Sequence, residues 1–191
     1  DRIRCQVIAP ALIPRKPKER IKTDRRDARK LCELLEAGLL TEVHPPTEAE
    51  ESVRDLCRCR EAAKTDLHRA RHRLAKLLLR RGYRYTGGRA WTQRHRTWLR
   101  GLQFDDVVDR VVFDDYLLAI EQLEARIVEL EAHMEAVSQQ DPYRAPVGAL
   151  RCFRGIDTVT ALTIVAELHD IQRFESPRAL MNYLGLTPSE F

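Results

Sequence analysis

The sequence predicts a mainly α-helical chain with a small α/β part near the N-terminus. Apolar residues recur every three or four positions over two long stretches, which is typical of helices that bury one face. Only 6% of the residues are aromatic and 32% are charged, which fits an elongated helical chain better than a compact β-rich one. With 191 residues, 43% of them apolar, the chain can bury a core and form one or two domains.

The first 46 residues predict a strand, a loop, a helix and a second strand. Residues 4–9 have a strand pattern that Pro10 closes, and a loop rich in Pro and Lys follows. A helix then begins at Thr23 or Asp24, either of which can cap it, and Gly38 ends it. Residues 41–44 predict another short strand, which two prolines stop.

Two aspartates stand out in this helix. Asp24 and Asp27 are three residues apart, so their carboxylates lie one turn apart on a common face. Carboxylates placed this way can share Mg²⁺, which prefers oxygen ligands. Alternatively they complement the helix dipole and satisfy unpaired backbone N–H groups, and on spacing alone this second interpretation is the commoner one.

Residues 47–140 predict two long helices that pair as an antiparallel coiled coil. Thr47 and Glu50 form a capping signature that opens the first helix, which runs to about Arg81. Trp91 and Trp98 lie in the connecting segment. The first apolar stripe comprises Val53, Leu56, Ala63, Leu67, Ala70, Leu74 and Leu77, with Arg60 as its one interruption, and the second comprises Tyr116, Ile120, Leu123, Ile127, Leu130, Met134 and Val137.

Charge is distributed unevenly along the chain, although the net charge is only +4. Residues 58–100 hold fourteen Lys and Arg against two acids, whereas residues 105–141 hold eleven acids against two arginines. An almost acid-free basic helix favours a polyanionic partner, although the basic and acidic helices could also simply pair with each other. The predicted phosphate contacts on the first helix are Arg69, Arg71, Arg73, Lys76, Arg80 and Arg81.

The two tryptophans have two possible roles. Trp91 and Trp98 could stack on bases, but tryptophans in a helical chain more often belong to the core.

Residues 141–191 predict three further helices. The first begins at Val147, the second spans residues 158–168, and the third runs from Ser176 or Pro177 to Leu184, with Ala179, Leu180, Tyr183 and Leu184 facing inward. The turn around Gly155 resembles a helix-hairpin-helix motif, which binds phosphate through backbone N–H groups. Asp157 stands where that motif usually has a second glycine, and a carboxylate there would repel phosphate. A tight helix–helix turn that needs Gly155 is the alternative.

The cysteines and the hydropathy pattern exclude several classes of protein. The five cysteines are scattered without zinc-finger spacing, which favours reduced thiols in the cytoplasm. No apolar run approaches twenty residues and no signal peptide is recognised, so we expect no membrane role.

Five segments are informative beyond their local structure: residues 8–17 (IAPALIPRKP), 20–28 (RIKTDRRDA), 70–74 (ARHRL), 155–161 (GIDTVTA) and 180–189 (LMNYLGLTPS). Together they resemble the DEDD-type transposases of the insertion sequence 110 family, the IS110/IS116/IS902 group. The resemblance covers nearly the whole chain.

The resemblance implies a domain plan and a chemistry. Residues 1–46 would be the C-terminal part of a RuvC-like (RNase H-like) nuclease domain, residues 47–140 a coiled-coil linker, and residues 141–191 the start of a helical transposase domain. In such enzymes four acidic residues, in the order Asp, Glu, Asp, Asp, hold Mg²⁺ or Mn²⁺. Asp24 and Asp27 match the last two, and Lys22 would be a phosphate or carboxylate partner.

The resemblance also implies partners: DNA, a structured guide RNA, and further copies of the chain joined through the coiled coil. The chain begins at Asp1 and stops at Phe191, so we expect a piece truncated at both ends. The first Asp, the Glu and the catalytic serine of the family would then lie outside it, since Ser189 does not match the serine's position, and the chain alone would be inactive. The alternative is a non-catalytic coiled-coil protein that binds nucleic acid or a sister chain by charge.

Overall fold

A computed structural model describes residues 5–8, 10, 13–14, 23–43 and 45–186. It divides the chain into two compact units, residues 1–47 and residues 48–191. Each unit is described by itself below. The prediction of a mainly helical chain is confirmed, because the described residues form helices with almost no strand.

The N-terminal unit is built around helix α1, Asp24–Glu36. Gly38 follows the helix at φ +67°, a left-handed conformation that suits glycine at a helix end. The two predicted strands differ from expectation. Among the described residues they reduce to one antiparallel bridge between Ile8 and Glu42, in which the Val43 N–H donates to the Val7 carbonyl at 2.8 Å. Residues 4, 9 and 44 of these strands lie outside the described part.

The second unit contains six α-helices among its described residues. They are α2 (Glu48–Arg80), α3 (Gln93–Arg100), α4 (Val107–Ser138), α5 (Arg144–Leu150), α6 (Thr158–Leu168) and α7 (Pro177–Tyr183), with one 3₁₀ turn at Ile171–Arg173. Helix α3 was not predicted. Helix α5 begins three residues earlier than predicted, since Pro146 falls in its first turn, where no backbone N–H is needed.

Helices α2 and α4 pack antiparallel and share the largest helix–helix interface of the described chain. Ion pairs between them show the direction, because Arg60, Arg71 and Arg81 meet Glu131, Glu124 and Asp109 in turn. The buried residues at this interface include Leu67, Leu74 and Leu77 of α2 and Phe113 and Ile120 of α4. The predicted apolar stripes therefore do face each other.

Helix α6 fills the other end of the α2–α4 pair. It contacts α2, α4 and α5 and buries most of its surface, including Ala161, Leu162, Val165 and Ala166. These side chains form a second core cluster with Cys57, Met134 and Val147. A helix that is apolar around most of its circumference must be enclosed on several sides.

Arg54 ties the end of α6 to the start of α2. Its Nε donates to the Ala166 carbonyl at 3.4 Å, and its guanidinium also pairs with Glu51 and Glu167 and contacts His169. His169 has φ +53°, which is rare for a residue with a side chain. Burial and the Arg54 charge lower the pKa of His169, so the imidazole is neutral at pH 7 and can accept from Arg54.

Helix α7 is short and largely exposed. Ser176 caps it by accepting from the Ala179 N–H at 3.2 Å. The prediction that Tyr183 and Leu184 face inward is wrong, since they are 59% and 47% exposed. The Tyr183 ring contacts Phe174 and Arg173 but stays largely open to solvent, and within α7 only Ala179 and Leu180 are half-buried. All five cysteines are free, and no helix among the described residues is both long and apolar enough to cross a membrane.

We expect Phe113→Ala to lower the free energy of unfolding by about 3–5 kcal/mol, because it empties a fully buried site. Leu118→Ala on the same helix is the control, since Leu118 is 53% exposed and its truncation should cost less than about 0.5 kcal/mol. Denaturant unfolding followed by circular dichroism measures both. Equal losses for the two variants would contradict the packing described.

Candidate nucleic-acid interface and carboxylate pair

At the start of α1, both aspartates lack a hydrogen-bond or ion-pair partner among the described residues. Thr23 is the N-cap, and its side chain accepts from the Arg26 N–H at 3.4 Å. Asp24 is exposed and Asp27 half-buried, and neither carboxylate makes a hydrogen bond or ion pair with a residue that the structure describes. The capping role that sequence reasoning allowed for Asp24 therefore falls to Thr23.

This pair has the donor chemistry that a hard cation needs. Two carboxylates one turn apart, one exposed and one half-buried, offer oxygen ligands, and Mg²⁺ binds through one or two protein carboxylates together with water and phosphate oxygens. The described residues contain no cluster of three or more His, Cys, Asp or Glu side chains able to hold a metal. Asp24 and Asp27 alone would therefore supply only part of a ligand set, and Lys22 lies outside the described residues.

A straight row of cations runs along the outer face of α2. Arg69, Arg73, Lys76 and Arg80 are separated by four, three and four residues, which keeps them on one side of the helix over about 16 Å. All four are exposed. Arg69 lies 3.3 Å from Asp66, whereas Arg73, Lys76 and Arg80 pair with no residue in the described chain. We call these four residues the basic row.

The other two predicted contacts, Arg71 and Arg81, pair with acids of α4. The Arg71 Nη2 lies 2.7 Å from Glu124, and the Arg81 Nη2 lies 2.6 Å from Asp109. The Arg71 guanidinium also stacks on the Trp91 ring, 4.7 Å from its centroid. Charge pairing between the helices, the alternative considered from sequence, therefore accounts for these two arginines and leaves the basic row unexplained.

Glu124 joins α2, α3 and α4. It accepts from Arg71 and, through both oxygens, from Arg96 at 2.7 and 3.0 Å. Burial alone would raise the Glu124 pKa, but the hydrogen bonds from Arg96 and Arg71 outweigh it, and the pKa is lowered. The carboxylate is charged at neutral pH and holds two arginines in place.

The aromatic rings in the connection between α2 and α4 are partly buried. Tyr85, Trp91 and Trp98 surround the His95 ring, and Trp91 and Trp98 pack against the core. Burial, with a contribution from Arg96, lowers the His95 pKa, so this imidazole is neutral at pH 7. The tryptophans therefore have a core role here, the commoner of the two considered.

The same connection presents arginines that the site prediction missed. Arg84, Arg89, Arg94 and Arg100 are exposed, and their side chains pair with no described residue. The signal was available, since all four belong to the basic run of residues 58–100. They extend the exposed, unpaired positive charge beyond the end of α2.

The turn before α6 uses Gly155 for its backbone. Gly155 has φ +91°, which a residue with a Cβ adopts only under strain. Asp157 then caps α6, accepting from the Thr160 N–H at 2.7 Å. That hydrogen bond lowers the Asp157 pKa. The carboxylate thus occupies the helix end at which a helix-hairpin-helix motif would hold phosphate.

Comparison with known proteins gives two family matches. Residues 148–191 match a family model described as transposase IS116/IS110/IS902 family, and residues 2–81 match a model of the DEDD IS110 type described as transposase. No solved structure matches.

Two curated relatives are similar over almost the whole chain. A candidate transposase, y4qE, of Sinorhizobium fredii (strain NBRC 101917 / NGR234) is 42% identical over 186 residues, which are 97% of this chain and 44% of the relative. The transposase for insertion sequence element IS1533 of Leptospira borgpetersenii is 35% identical over 178 residues, 92% of this chain and 51% of the relative. The chain spans about half the length of these relatives.

We expect Glu124→Gln to lower the free energy of unfolding by about 1.5–3 kcal/mol at pH 7, since it removes charge-assisted hydrogen bonds from two arginines. The depressed pKa means that Glu124 contributes stability above its unfolded pKa of about 4.3 and that this contribution is lost as pH falls through the folded pKa. The difference between wild type and variant should therefore shrink in acid.

Unfolding titrations at a series of pH values measure this difference. Glu129→Gln is the matched control, because Glu129 is an exposed residue of α4 that pairs with no described residue. A gap between wild type and Glu124→Gln that stays constant down to low pH would contradict the assignment.

Proposed function

The chain belongs to the IS116/IS110/IS902 transposase family, and on that premise we propose that it serves DNA transposition, supplying two metal-binding carboxylates and a nucleic-acid-binding helix pair. The activity would be cleavage and rejoining of DNA strands in the cytoplasm. Both relatives are named as transposases, one of them for an insertion sequence element. Because the chain spans about half their length, the remaining acidic residues and the serine nucleophile would come from other parts of the protein.

The observation that carries the nucleic-acid role is the uncommitted charge on the outer face of α2. Arg73, Lys76 and Arg80 are exposed and unpaired among the described residues, although α4 carries acids enough to pair with Arg71 and Arg81. Unpaired like charges in a row repel one another, and an anionic partner would relieve that repulsion. Phosphates that bind there release counterions, which favours binding.

Asp24 and Asp27 are the proposed metal ligands. Mg²⁺ or Mn²⁺ held by them would activate a nucleophile and stabilise charge that develops on phosphate oxygens. The first Asp and the Glu of the acidic set, on strands of a RuvC-like domain, would complete the coordination. In this proposal Thr23 has an indirect role, because its cap of α1 leaves both carboxylates free.

The proposed partners are DNA, a structured guide RNA and further copies of the chain. The basic row and the exposed arginines of residues 84–100 form a surface that suits a folded polyanion as well as a duplex. Self-association would use the outer face of α4, where Val107, Val111, Leu118 and Val128 are exposed at helical spacing. Gly155 remains a proposed contact, with Asp157 opposing phosphate next to it.

Replacing Arg73 and Lys76 together with Gln should weaken binding of structured RNA and duplex DNA. Each lost phosphate contact reduces the slope of log K against log salt by about 0.9 on duplex DNA, so we expect a reduction of about 2. Fluorescence anisotropy over a range of salt concentrations measures affinity and slope together.

The matched control is Arg126→Gln combined with Arg144→Gln, which removes the same charge from exposed positions on α4 and α5. This control should keep the wild-type slope. Equal losses for the two double variants would mean that net charge, rather than the basic row, governs binding.

Asp24→Asn and Asp27→Asn, made at the matching positions of a full-length relative, should each reduce transposition below detection while nucleic-acid affinity stays within about twofold, since a carboxamide is a poor ligand for a hard cation. Glu33→Gln, an exposed position of α1, is the control. Insertion counted in cells measures activity. Normal insertion by either Asn variant would refute the metal-ligand role.

A further inference from the structure

Two histidines of α2 lie next to the basic row without any role in the fold. His68 and His72 are four residues apart, both are exposed, and their ring centroids lie 4.5 Å apart at an interplanar angle of 64°. Apart from this ring contact, neither imidazole makes a hydrogen bond or ion pair with a residue in the described ranges. Packing therefore does not explain the pair.

The spacing and the rigidity of α2 suit chelation. Two histidines at positions i and i+4 of a helix direct their rings to the same side, which is how helical zinc motifs present two ligands to one ion. The opposite side of α2 is locked into the core by Leu67, Ala70 and Leu74, each at most 8% exposed. Only side-chain rotations then remain to be restricted when a metal binds.

We propose that His68 and His72 form a bidentate site for a borderline divalent cation such as Zn²⁺, Ni²⁺ or Cu²⁺. Imidazole nitrogen suits these ions, whereas Mg²⁺ prefers oxygen, so this site is chemically distinct from the aspartate pair on α1. No third His, Cys, Asp or Glu of the described chain completes a cluster there. The bound ion therefore keeps open coordination positions toward solvent.

The surroundings of the site select an anion for the open positions. Arg69 and Arg73 lie on the adjacent face of α2, and Lys64 lies one turn before His68. These cations oppose a free metal ion but favour a negatively charged third ligand. A phosphate oxygen of nucleic acid on the basic row meets that requirement, so the metal would bridge protein and phosphate. This second part rests on the proposed nucleic-acid function.

The metal site is tested first without nucleic acid. Isothermal titration of the whole chain with NiCl₂ and with ZnCl₂ should show one site that depends on both histidines, after blocking of the exposed thiols of Cys5, Cys32, Cys59 and Cys152. His68→Ala, His72→Ala and His72→Gln should each weaken the metal affinity by about tenfold or more, because a single remaining imidazole cannot chelate the ion. His133→Ala is the matched control, since His133 is an isolated exposed histidine of α4.

Circular dichroism would establish that the variants keep their helices. Binding of Ni²⁺ and Zn²⁺ that is unchanged in His68→Ala and His72→Ala, or no stronger than expected for isolated histidines, would overturn the proposal.

The bridge is tested by measuring affinity for duplex DNA and for structured RNA in ZnCl₂ and in EDTA at one ionic strength. Wild type should bind more tightly in zinc, and His72→Ala should show no difference. If wild type binds nucleic acid equally well with and without zinc, the proposed metal bridge to phosphate is overturned. The titration with NiCl₂ and ZnCl₂ then decides separately whether the metal site exists. Absence of nucleic-acid binding in both buffers would instead overturn the proposed function and the bridge that depends on it.

Discussion

The apolar interface between α2 and α4 is the constraint on which the second unit depends. Phe113 and Ile120 are fully buried against Leu74 and its neighbours, so α2 cannot rotate about its axis without exposing them. Each such side chain contributes on the order of 1.5–3 kcal/mol through burial. The fixed orientation of α2 about its axis determines which of its many cations point toward α4 and which point away.

The pairing of the cations on α2 depends on that orientation. Arg60, Arg71 and Arg81 lie beside the interface and meet acids of α4, whereas the basic row is exposed to solvent. Glu124 extends the pairing to α3 through Arg96 and thereby positions the loop that carries further exposed arginines. A single sequence block with a strong excess of positive charge thus contains two populations, one that stabilises the fold and one that is available to a partner.

Periodicity in the sequence predicted the long helices well, because burial of one face imposes a spacing of three and four residues whatever the partner. It did not predict α3, a short helix whose Leu99 is buried in the core that α2 and α4 form, since this packing partner is remote in sequence. The expected strands near Ile8 and Glu42 needed further strands to pair with. Among the described residues they pair only with each other, through one bridge.

The sequence predicted which segments belong to the candidate site, but not the role of each residue within them. The charge count located the basic segment, but only the structure separates Arg71 from Arg73, which are two residues apart and face different surroundings. Likewise, sequence allowed either Thr23 or Asp24 as the cap of α1, and the choice of Thr23 depends on local backbone geometry. Asp157 was expected to oppose phosphate, and its hydrogen bond to Thr160 gives it a capping role as well.

The central claim is that pairing with α4 divides the cations of α2 into structural and binding residues. The most direct test compares Arg71→Gln with Arg73→Gln, measuring for each the free energy of unfolding and the affinity for nucleic acid. We expect opposite outcomes: Arg71→Gln should lose stability and keep most of its affinity, and Arg73→Gln should keep stability and lose affinity. Loss of affinity without loss of stability in Arg71→Gln, equal to that in Arg73→Gln, would contradict it.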